Sequence, residues 1–401
     1  MSSFQRNLFQ KKLREAEASL GLNFNEDEEA PPPTASPHTI TTNCASPTPP
    51  IFSNPTSSSL RTAKPTNQTL PTWDQFFSHN DNVTYQEKGL QFQTYYEPPS
   101  SSTSPVFICH HGAGSSGLTF AMFTKQIRHI MEEQSQDNQD CIAGVYSFDA
   151  RGHGLSTSID KDHDPVTDFG IDYFIDDFCY LTRRFIQEHC KPTNPVYLLG
   201  HSLGGSVVTK ASFSLKDLVQ IKGVIMIDIV EETAVRSLSG MYQYINTLPS
   251  QFATVQDCID WHIKSGLVRD RSSAEISIPS LIRLNPVTNK YQWILDLRKT
   301  QSYWNDWFTS LSSQFIRAPF SKLLVLAGTD NLDKDLMIGQ MQGKYQLVVF
   351  QDSGHFVQED CSSRLAYTVM EFYQRTCGSA GNGSEVKIKT NWGMNKKSYQ
   401  K

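Results

Sequence analysis

The stretch from Val196 to Val208 constrains the fold of this chain more than any other. An apolar, strand-like run stops at Gly200, and Ser202 follows between Gly200 and Gly204 in the spacing G-x-S-x-G. A serine held in a sharp turn between a strand and a helix needs neighbours without side chains, because strand and helix nearly touch there. The pattern therefore predicts a nucleophile elbow at Ser202. The alternative is a glycine-rich turn that carries a passive serine.

Length and composition limit the architecture. A chain of 401 residues is long enough for a large single α/β domain with appendages or for two small domains, and its 38% hydrophobic content indicates a polar portion beside a normal core. The formal net charge of -5 makes nucleic acid an unexpected partner. A membrane is not expected either, since no apolar run is long enough to cross a bilayer and the N-terminal segment lacks the apolar centre of a signal peptide.

The cysteine pattern predicts a reducing compartment. The eight cysteines are scattered and form no C-x-x-C pair, which argues against a disulfide framework and against a zinc site. We therefore expect the cytoplasm, the nucleus or both. A mitochondrial presequence is less favoured, because Glu15 and Glu17 interrupt the basic N-terminal segment.

The first 69 residues are predicted to form a disordered tail. Residues Met1 to Ser19 could form a short amphipathic helix, but Asn25 to Thr69 is rich in Ser, Thr, Pro and Asn. Such a segment cannot bury enough apolar surface to offset the entropy lost on ordering. We expect the folded domain to span residues 70–376 and a second tail to span residues 377–401.

Within residues 70–376, apolar strands alternate with helical segments. Continuous apolar runs are typical of strands that helices cover on both faces, so the pattern predicts an α/β fold with a mostly parallel sheet. Residues 231–319 interrupt this rhythm with many aromatic residues, and we interpret them as a helical cap insertion over the nucleophile. An opening hairpin is expected at 82–88 and 90–96. The other expected strands cover 106–109, 143–148, 196–199, 223–230, 322–328 and 345–350, and the expected helices cover 120–133, 172–189 and 364–375.

A glycine-containing loop follows the strand expected at 106–109. Its sequence, His111-Gly112-Ala113-Gly114, is of the type that supplies an oxyanion-hole N–H in serine hydrolases. Small residues are needed there because the backbone itself must approach the substrate oxygen. The predicted donors are Ala113 N–H and Leu203 N–H, and a generic glycine turn is the alternative.

A second loop, Asp149 to Ser156, follows the next strand with the pattern D-x-R-G-x-G-x-S. We interpret it as structural, with Asp149 and Arg151 holding loops beneath the site. His153 lies in the same loop and is a weak candidate for a catalytic base, because it precedes the nucleophile in the chain.

His355 is the predicted base. It follows the last expected strand in a Ser-Gly-His turn, which agrees with the order nucleophile, acid, histidine of serine hydrolases with this elbow. The acid stays open on order alone. Asp228 and Asp330 each end a strand whose carboxyl end faces the same site, and order slightly favours Asp330. Asp333 and Asp352 are weaker options.

Several motifs together resemble the protein phosphatase methylesterase family of the α/β-hydrolase superfamily. The resemblance covers residues 70–375, and its most specific piece is Ile338-Gly339-Gln340-Met341-Gln342-Gly343-Lys344. The other matching pieces are Pro71 to Trp73, His111 to Leu118, Gly200 to Gly205, Met226 to Glu231, Tyr303 to Phe308, Leu326 to Gly328, Leu332 to Asp335 and Gly354-His355.

The resemblance implies an esterase that removes the methyl ester from the C-terminal leucine of the type 2A protein phosphatase catalytic subunit. It implies a triad of Ser202, Asp228 and His355, and so places the acid at Asp228 rather than Asp330. It also implies that binding of the phosphatase closes or rearranges the active site. Such acyl transfer needs no metal or other cofactor. The sequence departs from the family at Ala113, where a glycine is usual, but alanine keeps the N–H that an oxyanion hole needs.

Two other functions stay open. A generic carboxylesterase, lipase or thioesterase would share the elbow and the histidine. A stoichiometric binder that holds inactive phosphatase would use the acidic N-terminal segment and the large cap, with esterase chemistry secondary.

Overall fold

The computed structural model describes residues 69–134, 142–159, 168–217, 219–328 and 332–377. The predicted N-terminal tail up to residue 68, including its short helix, the predicted C-terminal tail beyond Cys377, and the candidate acid Asp330 lie outside these residues. From Leu70 onward the described residues belong to one compact unit.

The main sheet opens with an antiparallel hairpin. β1 (His79–Tyr85) pairs along its whole length with β2 (Leu90–Glu97). The strand predicted at 82–88 is therefore wrong at both ends. The segment Gln86–Lys88 forms a 3₁₀ turn, and Gly89 reverses the chain at φ 64°, in the left-handed region that glycine adopts without a steric penalty.

The other strands of the main sheet are mostly parallel, as predicted. They are β3 (Val106–His110), β4 (Gly144–Phe148), β5 (Thr157–Ser158), β6 (Val196–His201), β7 (Ile221–Ile227), β10 (Ser321–Ala327) and β11 (Gln346–Phe350). Two further strands, β8 (Ile282–Asn285) and β9 (Lys290–Trp293), form a separate two-stranded sheet. The order in the main sheet is β1-β2-β4-β3-β6-β7-β10-β11, and β5 pairs with β2. Neighbouring strands from β4 to β11 are parallel, whereas β2 is antiparallel to β4.

Helices cover both faces of this sheet. They are α1 (Ala121–Gln134), α2 (Ile171–His189), α3 (Leu203–Leu215), α4 (Glu231–Asn246), α5 (Val255–Ser265), α6 (Arg271–Ser277), α7 (Trp304–Phe308), α8 (Leu311–Arg317), α9 (Lys334–Met341), α10 (Val357–Asp360) and α11 (Ser362–Cys377). In the part of the chain that the structure describes, none of these helices combines the length and apolarity that crossing a membrane requires.

Two apolar clusters lie on opposite faces of the sheet. Side chains alternate along a strand, so Leu198 of β6 joins the cluster under α2 and α3, whereas its neighbour Leu199 joins the cluster under α1 and α11. On α2 the buried residues recur at helical spacing, as Phe174, Phe178 and Phe185 show. Because both faces are packed, the carboxyl ends of the parallel strands form the open edge at which a site can be built.

The chain between β7 and β10 is the insertion that we interpret as the cap. It contains α4 to α8 and also the antiparallel pair β8–β9, which the expectation of a purely helical cap missed. A third apolar cluster, with Phe252, Ile259 and Ile278 among its members, lies within it. Helix α4 differs from the rest, since Ile245 is its only fully buried residue.

Candidate active site

Ser202 stands at the turn between β6 and α3, as the elbow pattern predicts. Its backbone has φ 53° and ψ -120°, a conformation that residues with side chains rarely adopt. A Cβ at Gly200 would lie 2.1 Å from the carbonyl oxygen of Gly204, and one at Gly204 would lie 2.1 Å from that of His110. The two glycines of the motif are therefore required by the close approach of β6, α3 and the end of β3.

Asp228 and His355 form a hydrogen-bonded pair. The Nδ1 atom of His355 lies 2.7 Å from Oδ2 of Asp228, and the Ala327 N–H donates to Oδ1 at 2.6 Å. Because a carboxylate can only accept, Nδ1 of the imidazole carries the proton and Nε2 is left as the basic nitrogen. The side chain of Asp228 is 7% exposed and that of His355 is 42% exposed, so a buried carboxylate orients an imidazole that solvent or substrate can reach.

The elbow lies beside this pair. Ser202 N–H donates at 3.0 Å to the carbonyl of Ile227, the residue before Asp228. The side chain of His201 donates from Nε2 to the carbonyl of His355 at 2.9 Å, and the two imidazole rings are 4.6 Å apart between centroids. Burial, together with the neighbouring His355, lowers the pKa of His201 well below its usual value, so it is neutral and can act as this donor. The structure thus brings the three predicted residues to neighbouring strand ends.

The weaker acid candidates are engaged elsewhere. Asp333 caps α9 by accepting from Leu336 N–H at 2.9 Å, and its other oxygen accepts from the hydroxyl of Ser312. Asp352 pairs with Arg364, which lowers the pKa of its carboxyl. Neither carboxylate faces the imidazole of His355 in these contacts.

The predicted oxyanion loop lies against the elbow. A Cβ on Gly112 would come within 3.0 Å of the Cβ of Ser202, so the backbone of this loop passes directly beside the nucleophile candidate. Ala113 is the next residue along the chain. Leu203, the other predicted donor, is the first residue of α3, where backbone N–H groups have no partner within the helix.

Beneath the loop is a layer of buried polar groups, which we call the floor: His111, Asp149, Arg151 and His153. Each is at most 3% exposed. Asp149 accepts from the N–H groups of Gly117 and Leu155, each at 2.8 Å, and burial raises the pKa of its carboxyl to about 6 despite these bonds.

Arg151 and His153 complete the floor. Arg151 makes a two-pronged pair with Asp177 of α2, at 2.6 and 2.8 Å. His153 uses both ring nitrogens: Nδ1 donates to the Arg151 carbonyl at 2.8 Å, and Nε2 accepts from Gly114 N–H at 3.0 Å. A ring that is occupied on both sides and 2% exposed is not arranged to take a proton from a substrate.

Sequence reasoning missed Glu359, a buried carboxyl of α10 just beyond His355. It accepts hydrogen bonds from the hydroxyls of Thr119 and Ser277, and its backbone carbonyl accepts from Ser273 at 2.9 Å. Burial raises the pKa of Glu359 to about 8. Thr119 belongs to the segment after the oxyanion loop and the two serines belong to α6 of the cap, so one carboxyl joins three parts of the site. The sequence signal that could have revealed Glu359 is an acidic residue two positions after Val357, the apolar residue at which α10 begins.

Among the described residues, no group of three or more His, Cys, Asp or Glu side chains is placed to hold a metal ion. The groups at the site are instead those of nucleophilic acyl transfer: a hydroxyl on a turn, an oriented imidazole and backbone N–H groups beside them.

Comparisons with known proteins agree with this chemistry. The model of the α/β-hydrolase fold family matches residues 105–361. The protein phosphatase methylesterase 1 of Saccharomyces cerevisiae is 43% identical over 340 residues, which cover 82% of this chain and 80% of the relative. That of Candida albicans is 37% identical over 374 residues, which cover 92% and 91%.

Solved structures agree on the fold. E-2-(acetamidomethylene)succinate hydrolase has a TM-score of 0.56 at 18% identity, covering 74% of this chain and 99% of its own. The peroxisomal α/β-hydrolase Lpx1 of Saccharomyces cerevisiae has a TM-score of 0.55 at 13% identity, covering 76% and 86%. At such identities these structures show the fold alone. The sequence relatives carry the closer assignment: this chain is an esterase of the α/β-hydrolase family and belongs, within it, to the protein phosphatase methylesterase family.

Proposed function

We propose that this chain is a serine carboxylesterase that removes the methyl ester from the C-terminal leucine of the type 2A protein phosphatase catalytic subunit. The observation that carries the catalytic part is the 2.7 Å contact between His355 Nδ1 and Asp228 Oδ2 beside the elbow of Ser202. The phosphatase part rests on relatives named protein phosphatase methylesterase 1 that are 37–43% identical over most of the chain. The motif resemblance supplies the finer substrate.

The first half of the reaction forms an acyl-enzyme. Nε2 of His355 takes the proton of the Ser202 hydroxyl, and Oγ attacks the ester carbonyl carbon. Ala113 N–H and Leu203 N–H donate to the oxyanion that develops on the carbonyl oxygen. The imidazolium then protonates the leaving methoxide oxygen, so methanol departs. Asp228 keeps the proton on Nδ1 and stabilises the transient positive charge.

The second half hydrolyses the acyl-enzyme by the same groups. Nε2 of His355 deprotonates a water molecule, which attacks the acyl carbon, and that proton passes to Oγ of Ser202 as the acyl–oxygen bond breaks. The leucine leaves as its free carboxylic acid, which loses its remaining proton to the solvent. Each proton transfer to or from Oγ therefore passes through one imidazole.

A methanol-release assay on the carboxymethylated phosphatase catalytic subunit tests both parts of the proposal. The full chain should release methanol, whereas Ser202→Ala should not. Ser212→Ala is the matched control, because Ser212 is a buried serine of the helix that Ser202 precedes and its hydroxyl donates to the carbonyl of Thr209, one turn back in that helix. A fluorophosphonate should label Ser202 covalently.

Two outcomes test the substrate and the nucleophile separately. Hydrolysis of p-nitrophenyl acetate without any release of methanol from the phosphatase would contradict the substrate and favour a generic esterase. Full activity of Ser202→Ala on both substrates would contradict the nucleophile itself.

A further inference from the structure

The oxyanion loop is held from below by two buried histidines. His153 accepts the Gly114 N–H at 3.0 Å through Nε2. His111 donates from Nδ1 to the Gly112 carbonyl at 2.7 Å, while its Nε2 accepts from Ala150 N–H at 2.9 Å. The two rings are in contact, with centroids 4.9 Å apart. The residues on either side of Ala113 are thus each fixed by an imidazole.

These two bonds determine where the Ala113 N–H points. A trans peptide is planar, with its C=O and its N–H on opposite sides. The Gly112 carbonyl belongs to the same peptide group as the Ala113 N–H, and it is directed at His111 and also accepts from Ser115 N–H at 3.2 Å. The Ala113 N–H therefore points away from the floor. The next amide, of Gly114, points the other way and is taken up by His153.

We infer that His153 is a positioning residue for ester hydrolysis: its Nε2 sequesters the Gly114 amide so that, with His111 holding the adjacent carbonyl, the Ala113 amide is the one presented to the oxyanion. The inference rests on the proposed function, because it assumes that Ser202 attacks an ester beside this loop. It gives His153 a role in positioning the oxyanion donor, whereas the sequence pattern made it only a weak candidate for the base.

The role requires a neutral ring with its proton on Nδ1. Nδ1 of His153 donates to the Arg151 carbonyl at 2.8 Å, which leaves Nε2 as the acceptor. Burial lowers the pKa of His153 to about 4, so this tautomer persists at neutral pH. Arg151 is itself anchored by Asp177, and the ring of His153 also packs near Phe174 of α2. The acceptor is therefore held by α2 as well as by its own loop.

Two substitutions of His153 distinguish the acceptor role of Nε2 from the other contacts of the ring. In His153→Gln the amide oxygen can reach the position of Nε2 and accept from Gly114 N–H. In His153→Asn the shorter side chain can replace only Nδ1. We expect His153→Asn to lower kcat on p-nitrophenyl acetate about 10- to 100-fold, less than the about 100- to 1,000-fold loss of a complete oxyanion-hole donor. KM should stay within a factor of two or so, and His153→Gln should recover most of the rate.

The inhibition constant of a trifluoromethyl ketone that adds to Ser202 gives a second measurement, which a general loss of stability would not change. The ketone adduct carries an oxyanion, so the inhibition constant should rise in His153→Asn by about the factor by which kcat/KM falls. His262→Phe is the control for loss of a buried histidine, since His262 is 2% exposed and lies in α5 of the cap. It should match the thermal destabilisation without the change in inhibition.

The outcomes distinguish this inference from the proposed function. Equal kcat and equal ketone affinity in the unaltered chain, His153→Gln and His153→Asn would overturn the positioning role while leaving Ser202 as nucleophile. A ketone adduct on a residue other than Ser202, in the unaltered chain, would overturn the function on which the inference rests.

Discussion

The floor and helix α4 of the cap are built in opposite ways. The floor residues are at most 3% exposed, and each is held by hydrogen bonds to the backbone or, for Arg151, to the carboxylate of Asp177. On α4, Val235 is 43% exposed and Tyr242 is 41% exposed, and only Ile245 is buried. The difference shows where the molecule fixes its geometry: the groups beneath the loop proposed to bind the oxyanion are internal, whereas the exposed face of α4 has few contacts with the rest of the chain.

The largest effect is expected at the carboxylate that orients the base. Asp228→Asn should lower kcat about 10,000-fold, because the amide can no longer hold the Nδ1 proton of His355. Asparagine tolerates the φ of 51° at this position, so the fold should persist. Steady-state kinetics on p-nitrophenyl acetate give the value. Asp330→Asn is the matched control, and a larger loss there would reverse the assignment of the acid.

The next largest effect is expected on stability, when the ion pair that holds Arg151 of the floor is removed. Asp177→Asn leaves Arg151 buried without its counter-ion, which should cost about 3–5 kcal/mol of unfolding free energy in urea. Glu188→Gln, at an exposed pair with Arg184, should cost about 0–1 kcal/mol. Similar costs for the two substitutions would remove the contrast between the floor and the surface. The double variant Arg151→Met/Asp177→Leu should recover part of the loss.

Glu359 should give the molecule a pH dependence on the alkaline side. Its folded pKa of about 8 lies above the usual 4.5, so the folded state binds more protons in this window and stability falls as pH rises through it. Between about pH 6 and pH 8 the unfolding free energy should drop by about 2 kcal/mol relative to Glu359→Gln. The buried histidines His110 and His153, with pKa lowered to about 4, act in the opposite direction but below about pH 6.5. Parallel curves for the two proteins would contradict this account.

The smallest effect is expected on α4. Val235→Ser should change the unfolding free energy by less than about 0.5 kcal/mol, because the side chain is already half in water. Hydrolysis of p-nitrophenyl acetate should not change. Ile245→Ser on the same helix should cost more, since Ile245 is 7% exposed. Equal losses at the two positions would show that the exposed face of α4 is packed in solution.

Chain order and apolar runs predicted much of the fold. The parallel strands, the flanking helices and the strand-to-helix turn at Ser202 each follow from patterns within about ten residues. The proposed acid was different. Asp228 and Asp330 both follow strands, so a local pattern does not choose between them, and only the resemblance to the family implied Asp228. The contacts that support Asp228 are long-range: its N–H donates to the Val325 carbonyl and its carboxylate accepts from His355.

Other features were out of reach because they depend on long-range packing. The hydrogen bond between Thr119 and Glu359 joins residues 240 apart in the chain, and no local pattern reports it. The neutral state of His153 likewise follows from burial beneath a loop that lies 39 residues earlier. The residue types alone identify Glu359 and His153 as titratable groups. Only their surroundings decide whether such a group donates a hydrogen bond, accepts one or transfers a proton.

The hydroxyls around Glu359 bear on how enzymes of this architecture can be recombined. Ser273 and Ser277 come from the cap, Thr119 from the core, and the carboxyl from the helix after the base. A chimera that took its cap from a homologue without these serines would bury the carboxyl without its donor from Ser277 and the Glu359 carbonyl without its donor from Ser273. Cap and core are therefore expected to be inherited, and to be grafted successfully, as a matched pair rather than as interchangeable modules.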